Sequence, residues 1–304
     1  MKSAKIVVLV TVVAVLCFLA FRNAPTGITI GIIQTASHPA LDRARDGFKT
    51  QLSREMPGVR FIEQNAEGIA AQAQSIAAAL HANKNVVAIF AIGTLAAQAA
   101  ANVEKHKPII IAAVTDPKGA GLLQSNLTGT SDRIEAAKHV ELIKQLAPSA
   151  QRVALLYTLG EANSSAAASE MKTELAARGM EAVEVGVQQA SDVVTATLHA
   201  AHKAHAIWVP ADNLLVSAMP TVARIARENK KALIVSDPPS VERGALACVG
   251  VDYTKAGEES AKIAAQILGS NLVPNTIAIR EEQNPPIHVN RKLAQALGIE
   301  VRND

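Results

Sequence analysis

The chain has 304 residues, of which 49% are hydrophobic and only 3% aromatic, and its formal net charge is +3. This length is enough for two domains of ordinary size, and aliphatic side chains must fill their cores, as in parallel sheets covered by Ala-rich helices. The charges are scattered, and no run of Lys and Arg interleaved with aromatic residues resembles a nucleic-acid footprint. We therefore expect no nucleic-acid partner.

Residues 1–25 predict a targeting or anchor segment. Lys2 and Lys5 precede an uncharged run over 6–21 that is apolar apart from Thr11. It is long for a signal peptide and slightly short for a membrane span. Cys17 follows Ala14-Val15-Leu16, a loose match to a lipoprotein cleavage box. We expect the rest of the chain to be exported to the periplasmic or extracytoplasmic face, tethered by residues 6–21 or by a lipid on Cys17.

Strands and helices alternate along the first half of the exported chain. Hydrophobic periodicity and Gly or Pro punctuation predict strands at 28–34, 59–64, 86–92 and 108–115, with helices at 39–56, 69–82 and 95–106. The glycine-bearing segment 118–131 is predicted to cross to a second lobe.

The second half begins with a helix at 134–146, after which the alternation restarts. The pattern predicts strands at 152–157, 182–187, 206–210 and 232–236, with helices at 163–177, 193–203 and 214–229. The remaining elements are an apolar β-like crossover at 247–253, a helix at 255–268, strands at 275–280 and 287–289 that make a third crossover, and a helix at 291–297.

The two halves repeat one pattern, in which a buried strand ends in a hydroxyl residue, an aspartate and a proline. The repeats are Thr115-Asp116-Pro117 and Ser236-Asp237-Pro238. The duplicated βα pattern predicts an α/β fold of two Rossmann-like, doubly wound parallel-sheet lobes joined by a multi-strand hinge that closes around a ligand. We expect lobe I at 26–130 plus about 250–272, and lobe II at 131–249 plus about 280–304.

Polar residues follow the predicted carboxyl ends of the strands, the edge at which open α/β sheets bind ligands. Hydroxyl groups and helix N-termini suit a carboxylate, and a buried aspartate suits an ammonium group, so the set fits a zwitterion such as an amino acid. The same residue types are favoured helix N-caps, which is the structural alternative for each of them. The candidate ligand-binding residues are Gln34, His38, Thr94, Thr115, Asp116, Asn163, Ser164, Asp212, Asn213 and Asp237.

Aromatic residues, which sugar sites use, are scarce in the exported chain. Trp208 lies inside a predicted strand, so we expect it in the core, whereas Tyr157 and Tyr253 are placed to line the cleft.

Catalysis and cofactor binding have little support in the sequence. It contains no Gly-x-Ser-x-Gly elbow and no phosphate-binding Gly-rich loop, and Asp212 and Asp237 are only weak candidates for an acid/base pair. His199, His202 and His205 lack acidic or cysteine partners, which favours solvated surface over a metal site. We predict a non-enzymatic, monomeric binding protein without cofactor or metal.

Several motifs resemble the tryptophan-type substrate-binding proteins of ABC transporters, over about residues 28–300. They include His38-Pro39-Ala40-Leu41-Asp42, Ala113-Val114-Thr115-Asp116-Pro117, Glu161-Ala162-Asn163-Ser164, Asp212-Asn213 and Gly250-Val251-Asp252-Tyr253. The resemblance implies a type I periplasmic-binding fold. It also implies a solute that is captured outside the inner membrane and handed to a permease with a cytoplasmic ATPase. Aromatic amino acids are ligands of some members.

If the chain has the function that this resemblance implies, each candidate residue has an expected contact with the ligand. Asn163 and Ser164 with their helix N-terminus are expected to hold a carboxylate, Asp212 or Asp237 an ammonium group, and Gln34 and Thr94 the ligand side chain. Two alternatives stay open: a binding protein that senses a ligand for a receptor, and, less favoured, a hydrolase on a related fold.

Overall fold

The computed structural model describes residues 27–301, which contain two sheets flanked by helices. The first sheet has five parallel strands in the order β2-β1-β3-β4-β5. These are β1 (Thr29–Gln34), β2 (Arg60–Asn65), β3 (Val86–Ile92), β4 (Ile109–Val114) and β5 (Leu127–Ser131). Helices α1 (Pro39–Glu55), α2 (Ala70–Ala82) and α3 (Thr94–Val103) connect the first four strands.

The second sheet repeats this strand order and adds one antiparallel edge strand. Its order is β11-β10-β9-β8-β6-β7, with β6 (Arg152–Thr158), β7 (Glu181–Val187), β8 (Ala206–Val209), β9 (Ala232–Val235), β10 (Ala247–Val249) and β11 (Ile287–Val289). Its connecting helices are α4 (Ala136–Leu146), α5 (Ala162–Ala177), α6 (Val193–Lys203), α7 (Asn213–Ser217), α8 (Met219–Glu228) and α9 (Pro238–Glu242). The strand order therefore reverses between β1 and β3 and again between β6 and β8, where ligands bind in such sheets.

The chain passes between the two sheets three times. It leaves β5 for α4, returns after β10 to α10 (Tyr253–Ser270), and goes back to β11 before ending in α11 (Arg291–Ala296). The third passage touches the first, because Thr130 forms a bridge with Arg280 and the Ser131 N–H donates to the Arg280 carbonyl over 2.8 Å. These passages are the hinge elements, and the lobe boundaries given above stay a prediction.

Apolar residues on both faces of each sheet form the cores. Strand β4 shows why, since all six of its residues are buried: Ile109, Ile111 and Val114 pack in one core, and Ile110, Ala112 and Ala113 pack in the other. In the first lobe the rings of Phe48 and Phe90 stack with centroids 3.7 Å apart. Alanines on the helices let them pack closely, as the composition predicted.

Four predicted elements differ from the structure. The end of the expected crossover at 118–131 is strand β5 of the first sheet. The helix expected at 214–229 is broken at Ala218 into α7 and α8, because Pro220 in the first turn of α8 cannot donate a backbone hydrogen bond. Arg243 instead donates to the carbonyls of Val216 and Ser217 over 2.6 and 2.9 Å. The expected strand at 275–280 is a 3₁₀ turn at Pro274–Thr276 followed by irregular chain, and the β-like segment at 247–253 ends at Val249.

The predicted anchor at 6–21 and Cys17 lie outside the described residues. Within 27–301, no helix has the length and hydropathy needed to cross a bilayer.

Candidate functional site

The carboxyl edges of the two sheets face each other across a cleft that is closed in this structure. His38, in the loop after β1, lies with Nε2 3.1 Å from Oδ1 of Asn213 at the start of α7. Arg43 on α1 forms an ion pair with Glu242 on α9 at 2.6 Å. Both contacts join the first lobe to the second, so the strand ends that the sequence analysis singled out do meet.

Two narrow cavities lie between the lobes among the strand ends, beside a wider open groove of about 1060 Å³ that residues of both lobes line, including Arg43, Pro238 and His288. Cavity A has a volume of about 20 Å³ and is lined by His38, Thr94, Asp132, Asp237, Tyr253 and neighbouring residues. Cavity B has a volume of about 30 Å³ and is lined by His139, Trp208, Ser236, Ala166, Ala167 and neighbouring residues. Thr115, Asp132 and Ala211 line both. Such spaces hold only a few water molecules, so a larger guest enters only when the lobes separate.

Buried polar atoms without a partner are concentrated at these cavities. In the described chain, six buried side-chain nitrogen or oxygen atoms make no hydrogen bond: His38 Nδ1, Thr94 Oγ1, His139 Nδ1, Trp208 Nε1, Asp237 Oδ2 and Ser240 Oγ. The first five belong to residues that line cavity A or cavity B. Because buried polar groups in proteins are nearly always paired, this concentration marks a place where another molecule supplies the partners.

Two buried carboxylates face cavity A. Asp132 accepts hydrogen bonds from the hydroxyls of Thr115 and Tyr253, each over 2.9 Å. Desolvation raises the pKa of Asp132, and it raises the pKa of Asp237 to about 6, with the nearby charge of Asp132 adding to the effect. Within residues 27–301 neither carboxylate forms an ion pair, so a cation placed between them would offset the desolvation of both.

Local backbone geometry sets the walls of cavity A. Gly93, with φ +87°, is the N-cap of α3, and a side chain there would collide with Thr35, so glycine is required where β3 turns into Thr94. Ala113 has φ +55° beside an irregularity in the pairing of β4 with β5, which directs the end of β4 into the cleft.

Asp212 is bonded on both carboxylate oxygens. It accepts from the N–H and hydroxyl of Thr158 over 2.6 and 2.8 Å, and caps α7 through the Leu215 N–H over 2.9 Å. Glu161 supports the same helix by accepting from the N–H groups of Asn213 and Leu214 over 3.0 and 3.1 Å. Desolvation and the charge of Asp212 raise the pKa of Glu161 to about 7. These two acids therefore hold the start of α7, where Asn213 lines cavity A.

The structure brings most of the predicted site residues together. His38, Thr94, Thr115, Asn163, Asp212, Asn213 and Asp237 line cavity A, and Thr115 and Asp116 line cavity B. Two do not line either cavity. The Gln34 amide donates to Ala36 O and Asp42 Oδ1 over 2.7 and 2.8 Å, which holds the loop after β1. Ser164 is fully buried behind Asn163, whose amide lies 3.3 Å from its hydroxyl.

Sequence reasoning missed Asp132 and His139 and undervalued Trp208. Asp132 follows β5, which was predicted only as part of a crossover, so its place at a strand end was hidden. Trp208 is buried as expected, yet it also lines cavity B together with His139. Tyr253 reaches cavity A as expected, whereas Tyr157 lies near Glu184 and away from both cavities.

Known proteins resemble this chain over most of its length. The family model described as ABC transporter substrate binding protein matches residues 29–304. A curated relative, a tyrosine-binding protein of Clostridioides difficile (strain R20291), is 36% identical over 281 residues, which cover 89% of this chain and 81% of the relative.

Two solved structures bear on the arrangement of the lobes. An ABC domain from Streptococcus pneumoniae in complex with L-Trp superposes with a TM-score of 0.86 at 32% identity, over 91% of this chain and 96% of that chain. The ligand-free, open structure of a Clostridium difficile substrate-binding protein with adhesive properties gives 0.69 at 36% identity, over 91% and 97%. The present arrangement is thus nearer to the ligand-bound protein, although the open one is more similar in sequence.

Proposed function

Because the chain belongs to the ABC transporter substrate binding protein family, it is the solute-binding component of an ABC transporter, and we propose that its solute is an amino acid held between the lobes. The observation that carries the proposal is the pair of buried carboxylates Asp132 and Asp237, which form no ion pair within residues 27–301. The charge of Arg243 lowers the pKa of Asp237 but does not cancel the rise that desolvation causes. An α-ammonium group has the charge and size to lie between the two carboxylates.

The sequence analysis gave Asp212 or Asp237 as the residue that binds the ammonium group, and Asp237 is the better acceptor of the two. Its Oδ2 has no partner, whereas both oxygens of Asp212 are already bonded within the protein. Asp132 supports the same cation with its charge while its oxygens accept from Thr115 and Tyr253. Tyr253 and Thr115 thus hold Asp132 in one orientation before the ligand arrives.

The start of α3 is the proposed carboxylate site. Thr94 Oγ1 has no partner, and the first turn of α3 carries no acidic residue, although its Ala96 N–H donates to the Thr35 hydroxyl over 3.1 Å. The Thr94 hydroxyl, at the positive end of the helix, therefore remains open to an anion. Asn163 at the start of α5 is less available, because its amide already donates to Ala211 O over 2.7 Å.

Proteins of this family act outside the cytoplasm, and delivery follows from closure. We propose that capture closes the two lobes, that a permease with its ATPase receives the solute unchanged, and that residues 6–21 or a lipid on Cys17 tether the protein to the membrane. Of the contacts described, the His38–Asn213 bond and the Arg43–Glu242 ion pair form only when the lobes meet.

Calorimetric titration of the full chain in mild detergent tests the amino-acid assignment. Amino acids are expected to bind and nucleosides and sugars are not. Removing the ammonium group, as in 3-(4-hydroxyphenyl)propionate against L-tyrosine, should abolish measurable binding. Asp237→Asn should weaken amino-acid binding by about tenfold or more, because it removes a charge-assisted contact.

Asp46→Asn is the matched control, since Asp46 is exposed on α1 and pairs only with Arg45. It should bind amino acids like the wild type. Equal binding of the amino acid and its des-amino analogue would contradict the proposal.

A further inference from the structure

Cavity B contains a polar end that the ammonium and carboxylate contacts leave unused. His139 on α4 and Trp208 on β8 are 3% and 2% exposed, and their rings meet edge to face with centroids 5.5 Å apart. His139 Nδ1 and Trp208 Nε1 both lack a hydrogen-bond partner. Two unpaired polar atoms on the wall of one cavity point to a ligand group that pairs with them.

The hydrogen bonds around Ser236 assign the proton of His139. Ser236 Oγ lies 3.4 Å from the Val209 carbonyl and 3.4 Å from His139 Nε2. A carbonyl only accepts, so the serine hydroxyl donates to it and accepts from Nε2–H of the imidazole. Burial lowers the pKa of His139 to about 3, so the ring is neutral and Nδ1 carries a free lone pair. Cavity B therefore offers one acceptor, His139 Nδ1, and one donor, the indole N–H of Trp208.

Resting on the proposed function, we infer that cavity B receives the ligand side chain and that His139 and Trp208 select an aromatic amino acid that bears a hydroxyl group. A phenolic hydroxyl donates its proton to His139 Nδ1 and accepts from Trp208 Nε1–H, so it satisfies both atoms. A phenyl ring satisfies neither, and an indole N–H, which only donates, leaves the Trp208 N–H unpaired.

The rest of the cavity suits the body of an aromatic ring. Ile134, Ala136, Ala166 and Ala167 supply apolar walls, and the alanines on α5 leave room for a flat group when the lobes part. Arg133 and Glu170 form an ion pair at 2.9 Å whose partly exposed side chains close the outer rim. Cavity B adjoins cavity A at Asp132, so one molecule can place its ammonium group beside Asp132 and its side chain in cavity B.

The test compares three ligands of nearly equal shape by calorimetry on the full chain in mild detergent. These are L-tyrosine, L-phenylalanine and 4-methyl-L-phenylalanine, whose methyl group fills the space of the hydroxyl without hydrogen bonding. L-Tyrosine is expected to bind about tenfold or more tighter than either analogue, because they leave buried polar atoms unpaired. Trp208 is the single tryptophan of the chain, so its fluorescence gives a second, local readout.

Two variants assign the effect to the named residues. His139→Leu and Trp208→Phe should each weaken L-tyrosine binding by about tenfold and leave L-phenylalanine binding within about twofold, which also shows that each variant is folded. Equal affinities for L-tyrosine and 4-methyl-L-phenylalanine, or tighter binding of L-tryptophan than of L-tyrosine, would overturn this inference while the amino-acid function stands. If no amino acid binds, the proposed function itself fails.

Discussion

Asp237 uses its two carboxylate oxygens for different purposes. Oδ1 accepts the Ser240 N–H over 2.9 Å and so caps α9, whereas Oδ2 has no partner within the described chain. Burial raises the pKa of this carboxyl from 3.8 to about 6. The folded state thus holds a proton more tightly than the unfolded chain, so the contribution of Asp237 to stability is greatest below about pH 4 and is lost as the pH rises through about 6.

Because the pKa of Asp237 is raised in the folded state, its charge should destabilise the ligand-free protein at neutral pH. Asp237→Asn keeps the shape of the side chain and removes the charge, so at pH 7 it should raise the free energy of unfolding by about 1–3 kcal/mol. The difference should shrink towards zero near pH 4, where the wild-type carboxyl is protonated in both states. Urea unfolding of both proteins across this pH range measures the difference, and Asp46→Asn is the control. A wild-type protein more stable than the variant at pH 7 would contradict the prediction.

Wild type and Asp237→Asn should differ in opposite directions in stability and in amino-acid affinity. The variant that is more stable without ligand is the one expected to lose amino-acid affinity. A residue that only packs or caps would lose stability and affinity together. A gain in stability with a loss of affinity would indicate that the buried carboxylate lowers stability and binds the proposed ammonium group of the ligand.

Among the elements, α10 and α1 make the closest helix contact in the first lobe. A Cβ atom at Gly257 would lie 2.0 Å from the Ala44 carbonyl oxygen, and one at Gly47 would lie 2.3 Å from the Thr254 carbonyl oxygen. Each helix therefore has a glycine where the backbone of the other helix approaches it. Since α10 follows the second passage through the hinge, this contact fixes the returning chain to the first lobe.

Gly257→Ala should therefore lower the free energy of unfolding by about 1–3 kcal/mol, because the added methyl group forces two backbones apart. Gly269→Ala in the same helix is the matched control, since nothing lies within 4 Å of a Cβ at that position. The control should be neutral or stabilising by about 0.5–1 kcal/mol, as usual for Gly to Ala in a helix. Thermal and urea unfolding measure both, and equal effects of the two substitutions would contradict the close contact.

Local sequence patterns predicted the elements that local rules determine. β3 has the predicted bounds of 86–92, because a buried apolar run is followed directly by Gly93 and a helix. The break at Ala218 depends partly on Arg243, whose side chain reaches the α7 carbonyls from a distant loop, and no local pattern shows such a contact. Pro220 was a local signal for the break that the helical pattern obscured.

The sequence predicted the candidate site residues that follow strands with a clear pattern, and it did not predict the others. Residues at strand ends with strong βα patterns, such as Thr94 and Asp237, line the cleft as the pattern indicated. Asp132 was not predicted as a site residue because the strand before it, β5 (Leu127–Ser131), is short and polar and does not alternate like a strand. His139 was not predicted because it lies inside α4, and its position at the cavity depends on tertiary packing against Trp208.

On the scale of the whole molecule, closure is a balance between two arrangements of the lobes. The contacts that span the cleft are few and partly solvated: the side chains of Arg43 and Glu242 are 40% and 63% exposed. An exposed ion pair of this kind contributes about 0–1 kcal/mol, so it biases the closed state without locking it. A ligand that contacts both lobes then shifts the population by its preference for the closed state.

Charge reversal at this ion pair tests the balance. Arg43→Glu places two like charges across the cleft, so it should lower the closed population and weaken L-tyrosine binding by about two- to fivefold at low salt, with a smaller effect at high salt because the charges are screened. The double variant Arg43→Glu/Glu242→Arg restores the attraction and should recover wild-type affinity. Arg224→Glu, which breaks an ion pair within α8 alone, should leave affinity unchanged. Calorimetry at two salt concentrations measures all four proteins. If the double variant binds as weakly as Arg43→Glu, the loss comes from disturbance of α1, and the ion pair has no part in closure.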